Sequence, residues 1–316
     1  MSDTRALFDA ARGGDRASLA RLLSLVERGG DEAREIGRLA YPLGGSAYTV
    51  GITGAPGAGK STLTSAAISH MRSLGLEVAV LAVDPTSPFT GGAILGDRVR
   101  MQDHATDTGV FIRSMATRGH LGGLSLAAPE AVRLLDALGR HWILVETVGV
   151  GQVEVEIAGK ADTTVVVLNP GWGDSVQANK AGLMEIADVF VINKADRKGV
   201  EETRRDIEQM LDLSDLSHDA WRPPIVATVG STGQGVSDLW DAVLAHRAHA
   251  ESSGQLVERR AFRMREELRE IVARRLEAKA REICTGERWD ELQDEVLQHV
   301  TDPWSAADEM LRPVGA

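Results

Sequence analysis

One short segment constrains the fold of this chain more than any other feature. Residues 54–61 read Gly-Ala-Pro-Gly-Ala-Gly-Lys-Ser, which fits the pattern G-x-x-x-x-G-K-[ST]. The segment follows an apolar run at 48–53 that predicts a strand, and it precedes a stretch at 61–74 that predicts a helix. Glycines let a backbone wrap around a phosphate chain so that consecutive N–H groups and the helix N-terminus face the anion. The sequence therefore predicts a phosphate-binding loop.

The last two residues of this pattern have specific expected roles. Lys60 is predicted to reach the β- and γ-phosphates of a nucleotide and to act in catalysis, and Ser61 is predicted to hold Mg²⁺. The residues expected to contact the nucleotide phosphates are Gly54, Ala55, Pro56, Gly57, Ala58, Gly59, Lys60, Ser61 and Thr62.

The rest of the central region alternates short β-rich runs with helical stretches. Such alternation indicates an α/β fold with a mostly parallel sheet and helices on both faces, which is the architecture of P-loop NTPases. The strands are predicted at 48–53, 77–84, 109–113, 142–146, 163–169, 189–193 and 225–229.

A second motif predicts which base the nucleotide carries. Asn193, Lys194, Ala195 and Asp196 follow an apolar run in the N-K-x-D arrangement of GTP-binding proteins. An ionised aspartate accepts hydrogen bonds from N1–H and the 2-amino group of guanine, whereas adenine offers neither donor. Lys194 can lay its stem along the purine, and Asn193 can tie this loop to the phosphate loop. GTP and GDP are therefore the expected ligands.

A third motif is typical of a γ-phosphate sensor. Residues 146–149 read Glu-Thr-Val-Gly after a predicted strand, in the position of the small-GTPase D-x-x-G switch with Glu replacing Asp. Glu146 is expected to hold Mg²⁺ directly or through water, and the Gly149 amide is expected to report the γ-phosphate. Val150 stands where small GTPases have the glutamine that orients the attacking water, so unassisted hydrolysis is expected to be slow.

Two further groups of residues give weaker signals. Asp84 and Asp97 could approach the metal side of the nucleotide, or could be turn or cap residues. A further contact to the base is predicted from the residues that follow the last strand, which are Val229, Gly230 and Ser231.

Composition excludes several classes of function. The chain has 316 residues, with 35 Lys plus Arg against 46 Asp plus Glu, and the net charge of -11 disfavours nucleic acid and anionic membrane surfaces as partners. Its apolar runs are shorter than the ~20 residues of a membrane span, so a cytoplasmic protein is expected. The single cysteine, Cys284, permits no intrachain disulfide. The sequence also has no CxxC motif or Cys/His cluster that could hold a structural metal.

The flanking regions read as helical. Apolar residues at 1–47 recur at three- and four-residue spacings, and glycine pairs at 13–14 and 29–30 divide them into short helices. The predicted domains are thus an N-terminal extension at 1–47, a P-loop domain at 48–249 and a C-terminal helical region at 250–316. A long helix at 255–284 carries an apolar seam that suits helix-to-helix association or packing on the chain's own domain. The seam consists of Val257, Ala261, Met264, Leu268 and Ile271, then Val272, Leu276, Ala280 and Ile283.

Taken together, these motifs resemble those of the methylmalonyl-CoA mutase-associated GTPases, a family that also carries an older label as an arginine/ornithine transport-system kinase. The resemblance covers nearly the whole chain. It rests on residues 51–62, 83–87, 91–101, 121–125, 146–152 and 193–196.

The resemblance implies a function that the residues alone do not. The family's GTPases are chaperones of adenosylcobalamin-dependent acyl-CoA mutases, which gate cofactor loading and protect the mutase. Residues 146–152 would then form switch II, and the stretch at 173–180 resembles the extra switch III, with Asp174, Gln177 and Lys180 as its expected coupling residues. The family's C-terminal arms join two subunits, which implies a homodimer.

Two alternatives belong to other functional classes. One is a phosphotransferase acting on a small molecule, against which guanine selection and several switch-like loops favour conformational signalling. The other is a metallocentre-assembly GTPase, such as a nickel-delivery protein, which would need Cys/His ligands that this chain lacks.

Overall fold

The computed structural model describes residues 2–84, 104, 106–116, 123–147, 160–171, 185–213 and 220–312. Seven strands lie in these ranges, one at each predicted position. They are β1 (Tyr48–Gly54), β2 (Val78–Asp84), β3 (Val110–Ala116), β4 (Trp142–Thr147), β5 (Thr163–Leu168), β6 (Val189–Asn193) and β7 (Ile225–Thr228). They form one sheet in the order β3-β2-β4-β1-β5-β6-β7, and every neighbouring pair is parallel. The predicted α/β fold with a parallel sheet is confirmed.

The helices also follow the sequence pattern closely. The division of the N-terminal region into short helices is confirmed, although the last of them ends at Ala40 rather than near 47. The helix after the phosphate loop and the long C-terminal helix are confirmed within one residue of their predicted bounds. The helices are α1 (Ser2–Arg12), α2 (Arg16–Arg28), α3 (Gly30–Ala40), α4 (Lys60–Ser73), α5 (Gly123–Ala137), α6 (Val200–Leu213), α7 (Val236–Ser252), α8 (Gln255–Ile283), α9 (Glu287–Leu297) and α10 (Pro303–Leu311). In the described part of the chain, no helix is long and apolar enough to cross a membrane.

The two faces of the sheet bury different helices. Side chains alternate along a strand, so Val50 of β1 and Leu144 of β4 share one face, where they belong to a core with residues of α4 and α7. Ile143 and Val145 of β4 lie on the other face, in a core with residues of α2, α3 and α5. The N-terminal helices therefore cover one face of the sheet and leave its carboxyl edge to the loops.

A buried aspartate stands before β5 at the amino edge of the sheet. Asp162 accepts a hydrogen bond from the Thr49 amide at 3.0 Å and pairs with Arg260 at 2.6 Å. Burial alone would lower the pKa of Arg260, but the hydrogen bond and charge of Asp162 raise it above its ordinary value. The start of α8 is thereby tied to the strand that carries the phosphate loop.

A second buried aspartate, Asp188, stands before β6. Its carboxylate accepts from the Thr164 amide at 2.8 Å and lies 2.9 Å from Arg259 and 3.2 Å from His246 Nε2. Burial would raise the pKa of Asp188, but the His246 contact, the Arg259 charge and the Thr164 amide together hold the pKa below its usual value. His246 Nδ1 is hydrogen-bonded to Thr163 Oγ1 at 2.8 Å, so both ring nitrogens face structural partners.

The chain divides into two compact units. The first ends at Arg260 and contains the whole sheet, and the second runs from Ala261 and contains most of α8 together with α9 and α10. None of the residues of α8 is buried. Large apolar side chains of the predicted seam are exposed along it, namely Val257, Met264, Leu268, Val272, Leu276 and Ile283.

Candidate nucleotide-binding site

The phosphate loop leaves the sheet at a residue that must be glycine. Gly54 ends β1 with φ 136°, and a Cβ there would lie 2.0 Å from the Val167 carbonyl oxygen of the adjacent strand β5. The next amide, that of Ala55, donates to the same Val167 carbonyl at 3.1 Å. The loop is therefore fixed against β5 at its first residue.

The loop enters α4 at a second constrained glycine. Gly59 has φ 88°, and a Cβ there would lie 2.7 Å from Asn193 Nδ2. Helix α4 begins at the next residue, Lys60, as the motif requires. The N-terminus of α4 therefore opens at the carboxyl edge of the sheet, where α/β folds bind phosphate groups.

The two signature side chains of the motif lie in the first turn of α4. Lys60 is buried, and its ammonium donates to the carbonyls of Gly54 at 2.8 Å and Ala55 at 3.2 Å. Ser61 is also buried. The positive charge of Lys60 is thus held inside the curve of the loop from 54 to 60, and Thr62 is exposed beside it.

Asn193 joins three segments of the site. Its Nδ2 donates to the Ala58 carbonyl of the phosphate loop at 2.7 Å, which confirms the predicted tie between the two loops. Its Oδ1 accepts from Thr228 Oγ1 at 3.1 Å and from the Gly230 amide at 3.0 Å. A single buried amide therefore links the ends of β6 and β7 to the phosphate loop.

Lys194 makes a second link between the same loops. Its ammonium donates to the Gly57 carbonyl at 2.6 Å, and its backbone has φ 60°. A left-handed backbone is uncommon for a residue other than glycine and concentrates at functional sites. The following turn is held by the Ala195 amide, which donates to the Thr228 carbonyl at 2.9 Å.

The predicted base-reading groups lie at the surface of this cluster. Asp196 and Ser231 are exposed, whereas Val229 and Gly230 are buried beneath them. At Gly230 a Cβ would lie 3.2 Å from the Leu63 backbone of α4, so the β7 loop packs closely on the helix of the phosphate loop. The Asp196 carboxylate is therefore accessible to a ligand beside the phosphate loop.

Glu146 lies at the carboxyl end of β4, beside β1. It pairs in register with Ile52 and is completely buried. By the alternation of the strand, its side chain shares the face of Leu144, the face that α4 covers. The structure thus brings a carboxylate to the same side of the sheet as Ser61.

Several predicted site residues lie outside the described residues. These are Asp97, Gly149, Asp174, Gln177 and Lys180, together with Val150, and their assigned roles stay predictions. Asp84 is the last residue of β2, and its side chain is likewise outside the described part.

Two threonine contacts at the site were not predicted from the sequence. Thr228 holds Asn193 Oδ1, and Thr147 Oγ1 lies 3.0 Å from Thr53 Oγ1 at the ends of β4 and β1. Threonine is common in strands, so these residues carried no distinct signal. The sequence signal for such contacts is a hydroxyl residue at the last position of a strand that leads into a binding loop.

The arrangement suits a nucleoside triphosphate. A helix N-terminus and Lys60 can hold phosphates, Ser61 and Glu146 offer oxygen ligands, and Asp196 offers a charged acceptor for a base. All of them lie at the carboxyl ends of β1, β4 and β6, where open α/β sheets bind ligands.

Comparison with known proteins agrees with this geometry. The sequence model of the family described as "Methylmalonyl Co-A mutase-associated GTPase MeaB" matches residues 19–285. A Pyrococcus abyssi protein named as a GTPase is 53% identical over 310 residues, covering 98% of this chain and 96% of that protein. The GTPase ArgK of Escherichia coli is 40% identical, covering 78% of this chain and 76% of its own length.

Two further similarities extend the comparison. The mouse protein named "Methylmalonic aciduria type A homolog, mitochondrial" is 34% identical, covering 78% of this chain and 64% of its own length. A crystal structure described as "LAO/AO transport system kinase" superposes with a TM-score of 0.73 at 26% identity, covering 98% of this chain and 97% of the other.

Proposed function

This chain belongs to the methylmalonyl-CoA mutase-associated GTPase family, and from that premise we propose that it is a Mg²⁺-dependent GTPase that regulates and protects an adenosylcobalamin-dependent acyl-CoA mutase. The single observation that carries the proposal is the pair of hydrogen bonds that connects the phosphate loop to the base-reading loop. Asn193 and Lys194 each bond to a phosphate-loop carbonyl, so base and phosphates of one nucleotide would be read by one rigid unit.

The guanine preference would come from Asp196. Its exposed carboxylate follows the Lys194 turn, and guanine offers it two N–H donors. Adenine would leave this carboxylate without its hydrogen bonds, which a site built around a charged acceptor strongly disfavours.

The residues that would hold Mg²⁺ lie on the face of the sheet that α4 covers. Ser61 in the first turn of α4 and the buried Glu146 offer a hydroxyl and a carboxylate oxygen, which are the ligand types that Mg²⁺ prefers. Asp84 and Asp97 remain further candidates. When bound, Mg²⁺ would neutralise part of the charge on the phosphates.

Hydrolysis transfers the γ-phosphoryl group of GTP to water, with GDP as the leaving group that takes the β,γ-bridging oxygen. Lys60 would stabilise the charge on the phosphate oxygens, and the α4 amides would hold the β-phosphate. Gly149 would donate its amide to the γ-phosphate. Because residue 150 is valine, nothing next to Gly149 orients the water as glutamine does in small GTPases, so a partner would complete the catalytic arrangement.

Two similarities support a mutase as the partner. The family's description includes methylmalonyl-CoA mutase, and the mouse relative is named for methylmalonic aciduria. Asp174, Gln177 and Lys180 would relay the nucleotide state to this partner as switch III.

The homodimer is supported by the surface of α8. This helix has nine basic and six acidic residues, whereas α9 has one basic and five acidic residues. The apolar seam is exposed between these charges, at the three- and four-residue spacing that pairs helices. A second copy of the chain could cover the seam and pair the opposite charges.

The test measures phosphate release from GTP with and without purified methylmalonyl-CoA mutase, and phosphate transfer to small acceptors such as arginine and ornithine. We expect the chain alone to hydrolyse GTP slowly and the mutase to accelerate this hydrolysis. We expect no phosphate on arginine or ornithine. Substituting Asp174, Gln177 and Lys180 together by Ala should leave GTP affinity nearly unchanged and reduce the acceleration. Transfer to an acceptor without net hydrolysis would replace the proposal with a kinase.

A further inference from the structure

Two buried threonines face each other where β1 and β4 end. Thr147 Oγ1 lies 3.0 Å from Thr53 Oγ1 and 3.4 Å from the Ile52 carbonyl oxygen. Thr53 is 1% exposed and Thr147 is 0% exposed. Thr53 directly precedes Gly54 of the phosphate loop, and Thr147 directly follows Glu146.

The register of the strands explains this meeting. Ile52 pairs with Glu146 in parallel, so the next residues along each strand are Thr53 and Thr147. Side chains alternate along strands, so the two threonines lie on the face opposite to Ile52 and Glu146. The hydroxyl contact therefore joins the last residue before the phosphate loop to the first residue after the Glu146 carboxylate.

Packing alone does not require hydroxyls at these positions. Valine has nearly the same shape, forms strands at least as well and has no polar atom to desolvate. A hydroxyl pair adds a directional bond that fixes the distance between two particular points. Here those points are the ends of two strands, immediately before their chains diverge.

We propose that Thr53 and Thr147 are positioning residues for GTP hydrolysis. Their hydrogen bond fixes the end of β4, and with it Glu146, relative to the phosphate loop. Nucleotide affinity depends chiefly on the phosphate loop and on the base loop, which Asn193 already joins. Loss of the threonine bond should therefore slow the chemical step more than it weakens binding, because catalysis is the more sensitive to small displacements. The inference requires GTP hydrolysis and is independent of the mutase.

The experiment uses the full chain with Thr53→Val, Thr147→Val, the double variant and Thr147→Ser. Each single valine removes the bond between the two buried hydroxyls and should lower the melting temperature, although in Thr53→Val the Thr147 hydroxyl keeps its 3.4 Å contact with the Ile52 carbonyl. The double variant removes both hydroxyls and should recover most of that loss. The turnover number should fall about tenfold in both single variants and stay low in the double variant. The dissociation constant for GDP should change by less than about twofold, and Thr147→Ser should restore turnover.

A control is available at the amino ends of the strands, which lie opposite to the phosphate loop. Thr163 of β5 shares a buried hydroxyl pair with Tyr48 at 2.7 Å and is also hydrogen-bonded to His246 Nδ1 at 2.8 Å, far along the strands from the phosphate loop. Thr163→Val should lower the melting temperature and leave turnover at a fixed temperature unchanged. Recovery of turnover together with stability in the double variant would overturn the proposal, as would unchanged turnover in Thr147→Val. A parallel loss of GDP affinity would also overturn it, since the pair would then assemble the binding site itself.

Discussion

At the scale of single residues, the phosphate loop contains several glycines, and the physical reason that glycine is needed differs from one position to the next. Gly54 is needed because the Val167 carbonyl occupies the space of a side chain, and Gly59 because the Asn193 amide does. Gly57 has a positive φ of 68° but open space around it. The motif G-x-x-x-x-G-K-[ST] therefore records two close approaches of neighbouring segments as well as the fold of the loop itself.

This difference predicts the effects of two alanine substitutions on stability. Gly54→Ala places a Cβ 2.0 Å from a backbone carbonyl in the middle of the sheet and should destabilise the fold by at least about 3 kcal/mol. Gly75 also has a positive φ, 78° against 136° at Gly54, but a Cβ there meets nothing within 4 Å, so Gly75→Ala should cost only about 1 kcal/mol. Urea unfolding followed by circular dichroism measures both values. Equal losses would show that backbone φ, and not the close approach to β5, dictates glycine at position 54.

At the scale of elements, the start of α8 is held to the sheet by two arginine–aspartate pairs. Arg259 and Arg260 reach aspartates that stand directly before β6 and β5. Those strands lead at their other ends to the base-reading loop and to the segment after Leu168. The amino ends of β5 and β6 are therefore held in place by ion pairs, at the end of the sheet opposite to the nucleotide site.

The depressed pKa of Asp188 predicts how stability depends on acid. Because the folded-state pKa lies below the unfolded value of about 3.9, the ionised form stabilises the fold above that pH, and this contribution is lost as pH falls through the folded pKa. Asp188→Asn should remove this part of the acid dependence and cost about 1–3 kcal/mol near neutral pH. Urea unfolding at a series of pH values between about 2 and 7 measures both effects.

Asp31→Asn is the matched control for this measurement. Asp31 pairs with Arg34 on the exposed surface of α3, so its substitution should change stability by less than about 0.5 kcal/mol. An unchanged acid profile in Asp188→Asn would show that the pair with Arg259 and His246 contributes nothing to folding.

Local sequence patterns predicted the elements well because the physical causes of those elements are local. The Val/Ile-rich runs of β5 and β6 need only their own residues to be recognised as buried strands. Asn193 and Lys60 were found because their motifs fix both spacing and role. The Arg260–Asp162 pair was missed because its members lie 98 residues apart, and no periodicity reports a partner at that distance. The covering of one sheet face by the N-terminal helices was missed for the same reason.

At the scale of the whole molecule, exposure of the α8 seam predicts a dimer that surface substitutions can dissociate. Leu268 and Leu276 are 61% and 62% exposed, so replacing both by Glu should leave the fold intact while placing charges in the helix pairing. Sedimentation velocity should show a dimer for the parent and a monomer for the double variant, with GTP binding retained in both.

A control for the added charge lies elsewhere on the surface. Leu213, at the end of α6, is 86% exposed and is not part of the seam, so Leu213→Glu should remain a dimer. A dimer that persists in the variant carrying both seam substitutions would mean that subunits associate through another surface.

Calorimetric titration of nucleotides in Mg²⁺ tests the guanine-nucleotide site most directly. GTP and GDP should bind to the parent chain, and ATP should bind at least about 100-fold more weakly because adenine cannot satisfy Asp196. Asp196→Asn should lose guanine affinity and gain affinity for xanthine nucleotides, whose 2-oxo group accepts a hydrogen bond from the amide. Glu202→Gln, an exposed substitution on α6, should bind as the parent does. Equal affinity of the parent for ATP and GTP would contradict the assignment of the joined phosphate and base loops as a guanine-nucleotide site.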